Sequence, residues 1–205
     1  MDLEYTDERV IPELMNPRSG ILLEHIARYE FAKKYVKGRV LDIACGVGYG
    51  ADILLDGPQE EIIEEIVGLD ISTESIEYAK HMYGFLKVNF HVQDVTEENL
   101  QNIYGTFDTI ISFETIEHLK DDYGFIKSLR NLLKPGGLLI ISTPFGQGRG
   151  KPCSCPYHVH QYKEEEFREL LSIFNNVQMY HQLDQVVEQP IDNKKYYLMV
   201  AVCEG

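Results

Sequence analysis

The stretch of sequence that decides the fold reads Val40-Leu41-Asp42-Ile43-Ala44-Cys45-Gly46-Val47-Gly48-Tyr49-Gly50. Its first part is a short apolar strand, and its glycines form a turn that opens a helix. Glycines allow the backbone to approach a ligand closely, and the amino end of a helix offers free N–H groups. Ligands of doubly wound sheets bind beyond the carboxyl ends of the strands. The stretch therefore predicts a ligand site where this strand ends.

Outward from this stretch, strand and helix patterns alternate. Helical crossovers between strands are typical of a parallel sheet covered on both faces. We expect two late strands to pair antiparallel at the sheet edge. The predicted strands are 40–44, 65–69, 88–92, 107–112, 138–142, 177–182 and 196–203. The predicted helices are 20–36, 49–55, 72–83, 123–133 and 163–174, and Lys134-Pro135-Gly136-Gly137 is predicted to be a turn.

The length of 205 residues suits one domain with its own core. We interpret residues 1–37 as an N-terminal arm and helix, and 38–143 as the ligand-binding core. Residues 144–162 form a long loop rich in proline and glycine, which predicts a lid. Residues 163–205 complete the sheet with a helix and edge strands.

Composition narrows the class of function. The formal net charge is −14, from 33 acidic against 19 basic residues, whereas binders of nucleic acid need a basic surface. No apolar run has the ~18 residues that span a bilayer, and the acidic N-terminus lacks the apolar segment of a signal peptide. We therefore expect a cytoplasmic protein, monomeric or a homodimer, that binds neither nucleic acid nor membrane.

Acidic residues at successive strand ends indicate the ligand. Asp42, inside the first strand, suits an ammonium group, and Asp70, which closes the second strand, can accept both hydroxyls of a ribose. Asp94 follows the third strand and can accept a hydrogen bond from an exocyclic amine such as that of adenine. Ammonium, ribose and adenine together outline S-adenosylmethionine. The spacing G-x-G-x-G argues against a nicotinamide-dependent oxidoreductase, which would have G-x-G-x-x-G.

These motifs, with the segment Phe107–Leu119 and the turn Leu132–Gly137, make the chain resemble the class I S-adenosylmethionine-dependent methyltransferases over about residues 20 to 145. The resemblance implies a Rossmann-like α/β fold with a seven-stranded sheet, mostly parallel with the last strand antiparallel. It also implies S-adenosylmethionine as cofactor. The residues expected to bind it are Tyr29, Asp42, Ala44, Gly46, Gly48, Tyr49, Asp70, Ile71, Asp94, Val95, Phe113 and Glu114.

A second resemblance concerns the N-terminal segments Glu24–Ala32 and Glu8–Glu13. Both are similar to methyltransferases associated with sugar and surface-glycan biosynthesis. This resemblance implies that Tyr29, and with it Arg28, lies near the methionine end of the cofactor. It favours a sugar or nucleotide-sugar hydroxyl as methyl acceptor.

Three histidines are candidate catalytic residues, because transfer to a hydroxyl benefits from a general base. His118 follows the fourth strand and would act as that base, or instead anchor its loop or contact the cofactor. His158 and His160 lie in the long loop and would face the acceptor, or one of them would cap the following helix.

The sequence predicts no metal site. Cys153, Cys155, His158 and His160 would place four zinc ligands within eight residues, unlike the separated ligand pairs of structural zinc sites. Unpaired thiols on a loop are the simpler interpretation of the two cysteines.

The favoured function is therefore methylation of a small molecule at a hydroxyl. Two alternatives stay open from the sequence. One is an N- or carboxyl-methyltransferase of another metabolite, and the other is a protein that binds S-adenosylmethionine and regulates a partner without turnover.

Overall fold

The protein is described by a computed structural model that covers residues 9–84, 86–153 and 155–205. Its strands form one sheet with the order β3-β2-β1-β4-β5-β8-β6-β7. The strands are β1 (Gly38–Ile43), β2 (Ile63–Asp70), β3 (Val88–Val92), β4 (Phe107–Phe113), β5 (Leu133–Pro144), β6 (Asn176–Leu183), β7 (Val186–Glu188) and β8 (Leu198–Glu204).

Helices cover both faces of this sheet. Ser72 caps one of them, because its hydroxyl accepts a hydrogen bond from the Ser75 N–H at 3.2 Å. The helices are α1 (Gly20–Ala32), α2 (Tyr49–Leu55), α3 (Gln59–Ile62), α4 (Thr73–Tyr83), α5 (Leu100–Tyr104), α6 (Asp122–Leu132) and α7 (Glu164–Leu170), with 3-10 turns at Ile116–His118 and Leu171–Ile173.

The topology confirms the Rossmann-like α/β prediction and corrects the number of strands. Strands β1 to β5 pair in parallel, and β8 pairs antiparallel with both β5 and β6. Over the described parts of the chain, the sheet has eight strands and not seven, because β7 turns back on β6 as a short hairpin. Strand β7 has only three residues and lies in a polar stretch, so no apolar pattern indicates it. Strand β8 lies inside the sheet, between β5 and β6, and not at its edge.

Neighbouring residues of the central strands point to opposite faces and enter two separate cores. Val40 packs with α1, α2 and α4 on one face, whereas Leu41 packs with α6 and α7 on the other. Ile110 and Ile111 of β4 divide in the same way. Burial on both faces explains why the strand sequences are continuously apolar.

The predicted turn at residues 134–137 is a bulge within β5. Phe107 pairs with Leu133, but Thr109 pairs with Leu138, so the intervening residues bend out of the ladder. The Lys134 ammonium fixes this bulge through an ion pair of 2.6 Å with Asp108.

Some predictions fall outside the described residues, namely those for residues 1–8 of the arm and for Ser154. In the part of the chain that the structure does describe, no helix is long and apolar enough to cross a membrane.

Candidate active site

A cavity of about 650 Å³ opens at the carboxyl ends of the parallel strands, a volume typical of sites for small ligands. Because the sheet order is β3-β2-β1-β4-β5, we call its two sides the β3 end and the β5 end. Asp70 and Asp94 line the β3 end, whereas Glu117, His118 and His158 line the β5 end. The predicted residues that line the cavity are Tyr29, Ala44, Gly46, Tyr49, Asp70, Ile71, Asp94, Val95, Phe113, Glu114, His118 and His158.

Three predicted site residues do not line the cavity. Both carboxylate oxygens of Asp42 accept hydrogen bonds from the Tyr29 hydroxyl, at 3.0 and 3.2 Å, so this aromatic side chain takes the place expected for an ammonium group. Gly48, the residue before α2, has a φ of +84°, and a Cβ there would lie 2.7 Å from Ala79 and Phe90. Its role is close packing. The Nε2 atom of His160 lies 3.2 Å from the Lys120 carbonyl.

Asp70 links the glycine turn to the end of β2. Its Oδ2 accepts a hydrogen bond of 2.8 Å from the Gly46 N–H, and its Oδ1 accepts one of 2.9 Å from the Ser72 N–H. Each carboxylate oxygen can accept two bonds, so both can still receive a hydroxyl from the cavity. The glycine turn and Asp70 therefore form one preorganised unit.

Asp94 presents an oriented carboxylate beside apolar side chains. Its Oδ1 accepts hydrogen bonds from the Thr96 hydroxyl and N–H, at 2.7 and 2.9 Å. These bonds lower the pKa of Asp94, so its carboxylate is ionised at neutral pH. Val95 and Ile71 line the cavity next to it. A flat apolar group with a hydrogen-bond donor on its edge suits this corner.

Aromatic rings form the wall between the two ends of the cavity. The Tyr29 ring packs edge-to-face against Tyr49 and Phe113, with centroid distances of 5.4 and 5.1 Å. The Tyr49 hydroxyl lies 3.1 Å from His25 Nδ1, and burial lowers the pKa of His25 well below its usual value. The ring faces can attract a cation, and the imidazole beside them is neutral.

The guanidinium of Arg28 is the main buried positive charge at the cavity. Its side chain is 1% exposed, and its Nη1 donates to the Gln182 side chain at 2.9 Å. Among the described residues, its Nε has no hydrogen-bond partner. A buried guanidinium in this state suits an anionic ligand group such as a carboxylate. The helix pattern does not reveal this, because it indicates only that Arg28 lies on α1, and Gln182 is 154 residues away.

Two glutamates follow β4. Glu114 has a φ of +49°, a conformation that is uncommon outside glycine, and its Oε1 accepts a 2.6 Å hydrogen bond from the Ser142 hydroxyl. Glu117 is 1% exposed, and its Oε2 accepts a bond of 3.1 Å from Thr143. Burial and the nearby Glu114 carboxylate raise the pKa of Glu117 well above its usual value. Sequence reasoning missed Glu117 as a site residue.

The histidines of the β5 end meet through backbone contacts. The Glu117 carbonyl accepts hydrogen bonds from the N–H groups of Val159 and His160, at 2.8 and 3.0 Å. These bonds hold the long loop so that the rings of His158 and His118 lie edge-to-face, 4.9 Å apart. At the N-terminus of α7, the Lys163 N–H donates a hydrogen bond of 2.8 Å to the Glu166 side chain.

The cavity is acidic overall. Among the residues that the structure describes, five carboxyl side chains line it, against two guanidinium groups. Such a balance favours a ligand that carries a positive charge. The acidic residues are Glu24, Asp70, Asp94, Glu114 and Glu117, and the basic ones are Arg9 and Arg28.

Comparisons with known proteins agree with this geometry. A curated relative, the "probable S-adenosylmethionine-dependent methyltransferase" of Mycolicibacterium smegmatis, is 29% identical over 82% of this chain and 63% of its own length. The ubiquinone biosynthesis O-methyltransferase of Mesorhizobium japonicum is 34% identical over 51% of this chain and 40% of its own length. This chain therefore spans less than two thirds of the length of these relatives.

Solved structures show the same fold. A S-adenosylmethionine-dependent methyltransferase from Clostridium acetobutylicum superposes with a TM-score of 0.63 at 15% identity, over 95% of this chain and 96% of that one. The sequence model of the methyltransferase domain family matches residues 34–201. The chain therefore belongs to the methyltransferase domain family.

Proposed function

We propose that this domain transfers the methyl group of S-adenosylmethionine to a hydroxyl group of a small molecule. The observation that carries the proposal is the single cavity with two chemically different ends. The β3 end offers carboxylates for hydroxyl and amine groups, and the β5 end offers a carboxylate and two imidazoles. When bound, S-adenosylmethionine supplies an activated methyl group on a positively charged sulfur.

The residues of the β3 end fit this cofactor part by part. Asp70 would accept hydrogen bonds from ribose hydroxyls, and Asp94 would accept one from the adenine amine. The aromatic wall of Tyr29, Tyr49 and Phe113 and the acidic lining would stabilise the sulfonium charge. Arg28 would bind the methionine carboxylate, because its guanidinium is buried and incompletely hydrogen-bonded.

The β5 end supports a hydroxyl acceptor. A carboxylate acceptor needs no base, but a hydroxyl must lose a proton as its oxygen takes the methyl group. His118 and His158, which line the cavity, would receive that proton, whereas His160 faces Lys120. The net charge of −14 favours a small molecule over a nucleic acid.

Within the hydroxyl compounds, two acceptor classes are worth testing first. A sugar hydroxyl is what the N-terminal resemblance favours. A phenolic hydroxyl is suggested by the names of the ubiquinone O-methyltransferase relatives. N- or carboxyl-methylation and cofactor binding without turnover are the competing outcomes.

Calorimetric titration with S-adenosylhomocysteine tests the cofactor, with NAD as the control. We expect micromolar binding of the first and none of the second. Transfer of radiolabelled methyl to sugar and phenol panels, alongside amines and carboxylic acids, then tests the acceptor. Label found only in amines or carboxylic acids would contradict the hydroxyl proposal. Cofactor binding without transfer to any panel or to a cell extract would favour the regulatory alternative.

A further inference from the structure

Three potential metal ligands converge at the β5 end. A carboxylate oxygen of Glu117 and one ring nitrogen each of His118 and His158 all lie within 4.8 Å of one another. Glu117 and His118 are adjacent in the 3-10 turn after β4, and His158 comes from the loop 40 residues later in the chain (158 − 118 = 40). The three residues also line the cavity. The cluster thus borders the space that an acceptor would occupy.

One oxygen of the Glu117 carboxylate lacks a hydrogen-bond partner among the described residues. Its side chain is 1% exposed, and only its Oε2 is hydrogen-bonded, to Thr143. Among the described residues, Oε1 is buried without any hydrogen-bond partner. An unsatisfied buried carboxylate oxygen carries a large desolvation cost. A cation in the cluster would remove that cost, and the neighbouring Glu114 would add to its attraction.

The hydrogen bond made by His118 selects the nitrogen that can bind a metal. Its Nδ1 lies 3.1 Å from the Tyr157 carbonyl oxygen. A carbonyl oxygen only accepts, so Nδ1 carries the proton and Nε2 keeps a free electron pair. Histidine ligands of metals are oriented by this kind of outer hydrogen bond. The hydrogen bond to the Tyr157 carbonyl therefore orients the His118 ring and leaves Nε2 available to bind a metal.

We propose that Glu117, His118 and His158 bind one divalent transition-metal cation. Two imidazoles and one carboxylate suit ions such as Mn²⁺, Co²⁺ or Zn²⁺, and three protein ligands leave positions open. This departs from the sequence prediction of no metal. The ligand set also differs from the four-ligand loop set considered from the sequence, since neither Cys153 nor His160 is a member of the cluster.

The role of the cation rests on the proposed function. A hydroxyl of the acceptor would bind at an open position, where the cation lowers its pKa. His118 and His158, as ligands of the cation, would then no longer act as bases, and the proton would leave to water. The oxygen would form the new bond to the methyl carbon, and the electron pair of the broken C–S bond would stay on sulfur.

Titration of EDTA-treated protein with Mn²⁺, followed by the EPR signal of the free ion, tests the site directly. We expect one bound ion, and at least about tenfold weaker binding in both Glu117→Gln and His158→Ala. His91→Ala removes an exposed imidazole from β3 and is the control, with unchanged affinity expected. If Glu117→Gln does not fold by circular dichroism, His158→Ala, in a loop, carries the test.

Two results would overturn the proposal. One is no saturable Mn²⁺ binding at millimolar concentration, and the other is binding that Glu117→Gln and His158→Ala leave unchanged. The outcome is separable from the proposed function, because S-adenosylhomocysteine binding is measured independently. Cofactor binding without Mn²⁺ binding would refute the metal site alone, and Mn²⁺ binding without cofactor binding would refute the methyltransferase proposal alone.

Discussion

The two ends of the cavity are built in different ways. At the β3 end, each polar group lies on or just after a strand and is held by the backbone of strand ends and turns, as Asp94 is by Thr96 and Asp70 by Gly46 and Ser72. At the β5 end, Glu117 and His118 meet His158 only because the loop backbone bonds to the Glu117 carbonyl. A rigid strand end suits a cofactor with constant chemistry. A loop can change its sequence while the sheet stays intact, which suits a variable acceptor.

The largest effect that we expect concerns the buried carboxyl group of Asp42. It tests whether Asp42 packs inside the protein or contacts a ligand. Burial raises the pKa of Asp42 to about 7, although the Tyr29 hydrogen bond acts in the opposite direction. Because the folded pKa exceeds the unfolded value of about 4, the favourable contribution of this carboxyl is full below pH 4 and is lost as pH rises through 7.

Asp42→Asn should remove the part of the pH dependence of stability that comes from this carboxyl group. The stability of the variant relative to the unaltered protein should grow between pH 4 and 8 by on the order of 4 kcal/mol. Urea unfolding of both ligand-free proteins across this range measures the difference, in which other titrating groups cancel. A difference that stays flat with pH would mean that the folded pKa of Asp42 equals its unfolded value, so that its carboxyl is open to water.

Asp70→Ala should have the next largest effect. It removes the bonds proposed to the ribose and leaves the Gly46 and Ser72 N–H groups without their acceptor. We expect S-adenosylhomocysteine to bind about 100-fold more weakly, or ~3 kcal/mol. Calorimetry measures this, with the exposed Asp192→Ala as control. An affinity within threefold of the unaltered protein would remove Asp70 from the cofactor site.

The sequence reveals much of the β3 end, because its information is local. Asp70 and Asp94 were found from strand ends alone, and both line the cavity. The prediction for Asp42 missed the long-range contact that Tyr29 makes from α1. The resemblance placed Arg28 near the methionine end of the cofactor, but spacing identifies neither its buried partner Gln182 nor the burial of Glu117. The hairpin strand β7 is too short to show a period.

Arg28→Gln should have a smaller effect on affinity than Asp70→Ala, and it should show which part of the cofactor Arg28 contacts. If Arg28 binds the methionine carboxylate, the variant should bind S-adenosylhomocysteine about 30-fold more weakly, or ~2 kcal/mol. Its affinity for 5′-methylthioadenosine, which lacks the amino-acid portion, should not change. The second ligand is thus an internal control for misfolding. An equal loss for both ligands would place Arg28 in a structural role.

The smallest expected effect tests whether the two ends of the cavity are independent. His158→Ala and His160→Ala should each leave the affinity for S-adenosylhomocysteine within about twofold, because interaction energies fall off for sites that share no partners. His158 contacts His118 at the β5 end, and His160 faces Lys120. Calorimetry under the conditions used for Asp70→Ala measures both. A tenfold loss in His158→Ala alone would show that the loop closes on the cofactor itself, so that acceptor and cofactor share one binding surface. A similar loss in both variants would instead indicate that the loop orders the whole cavity.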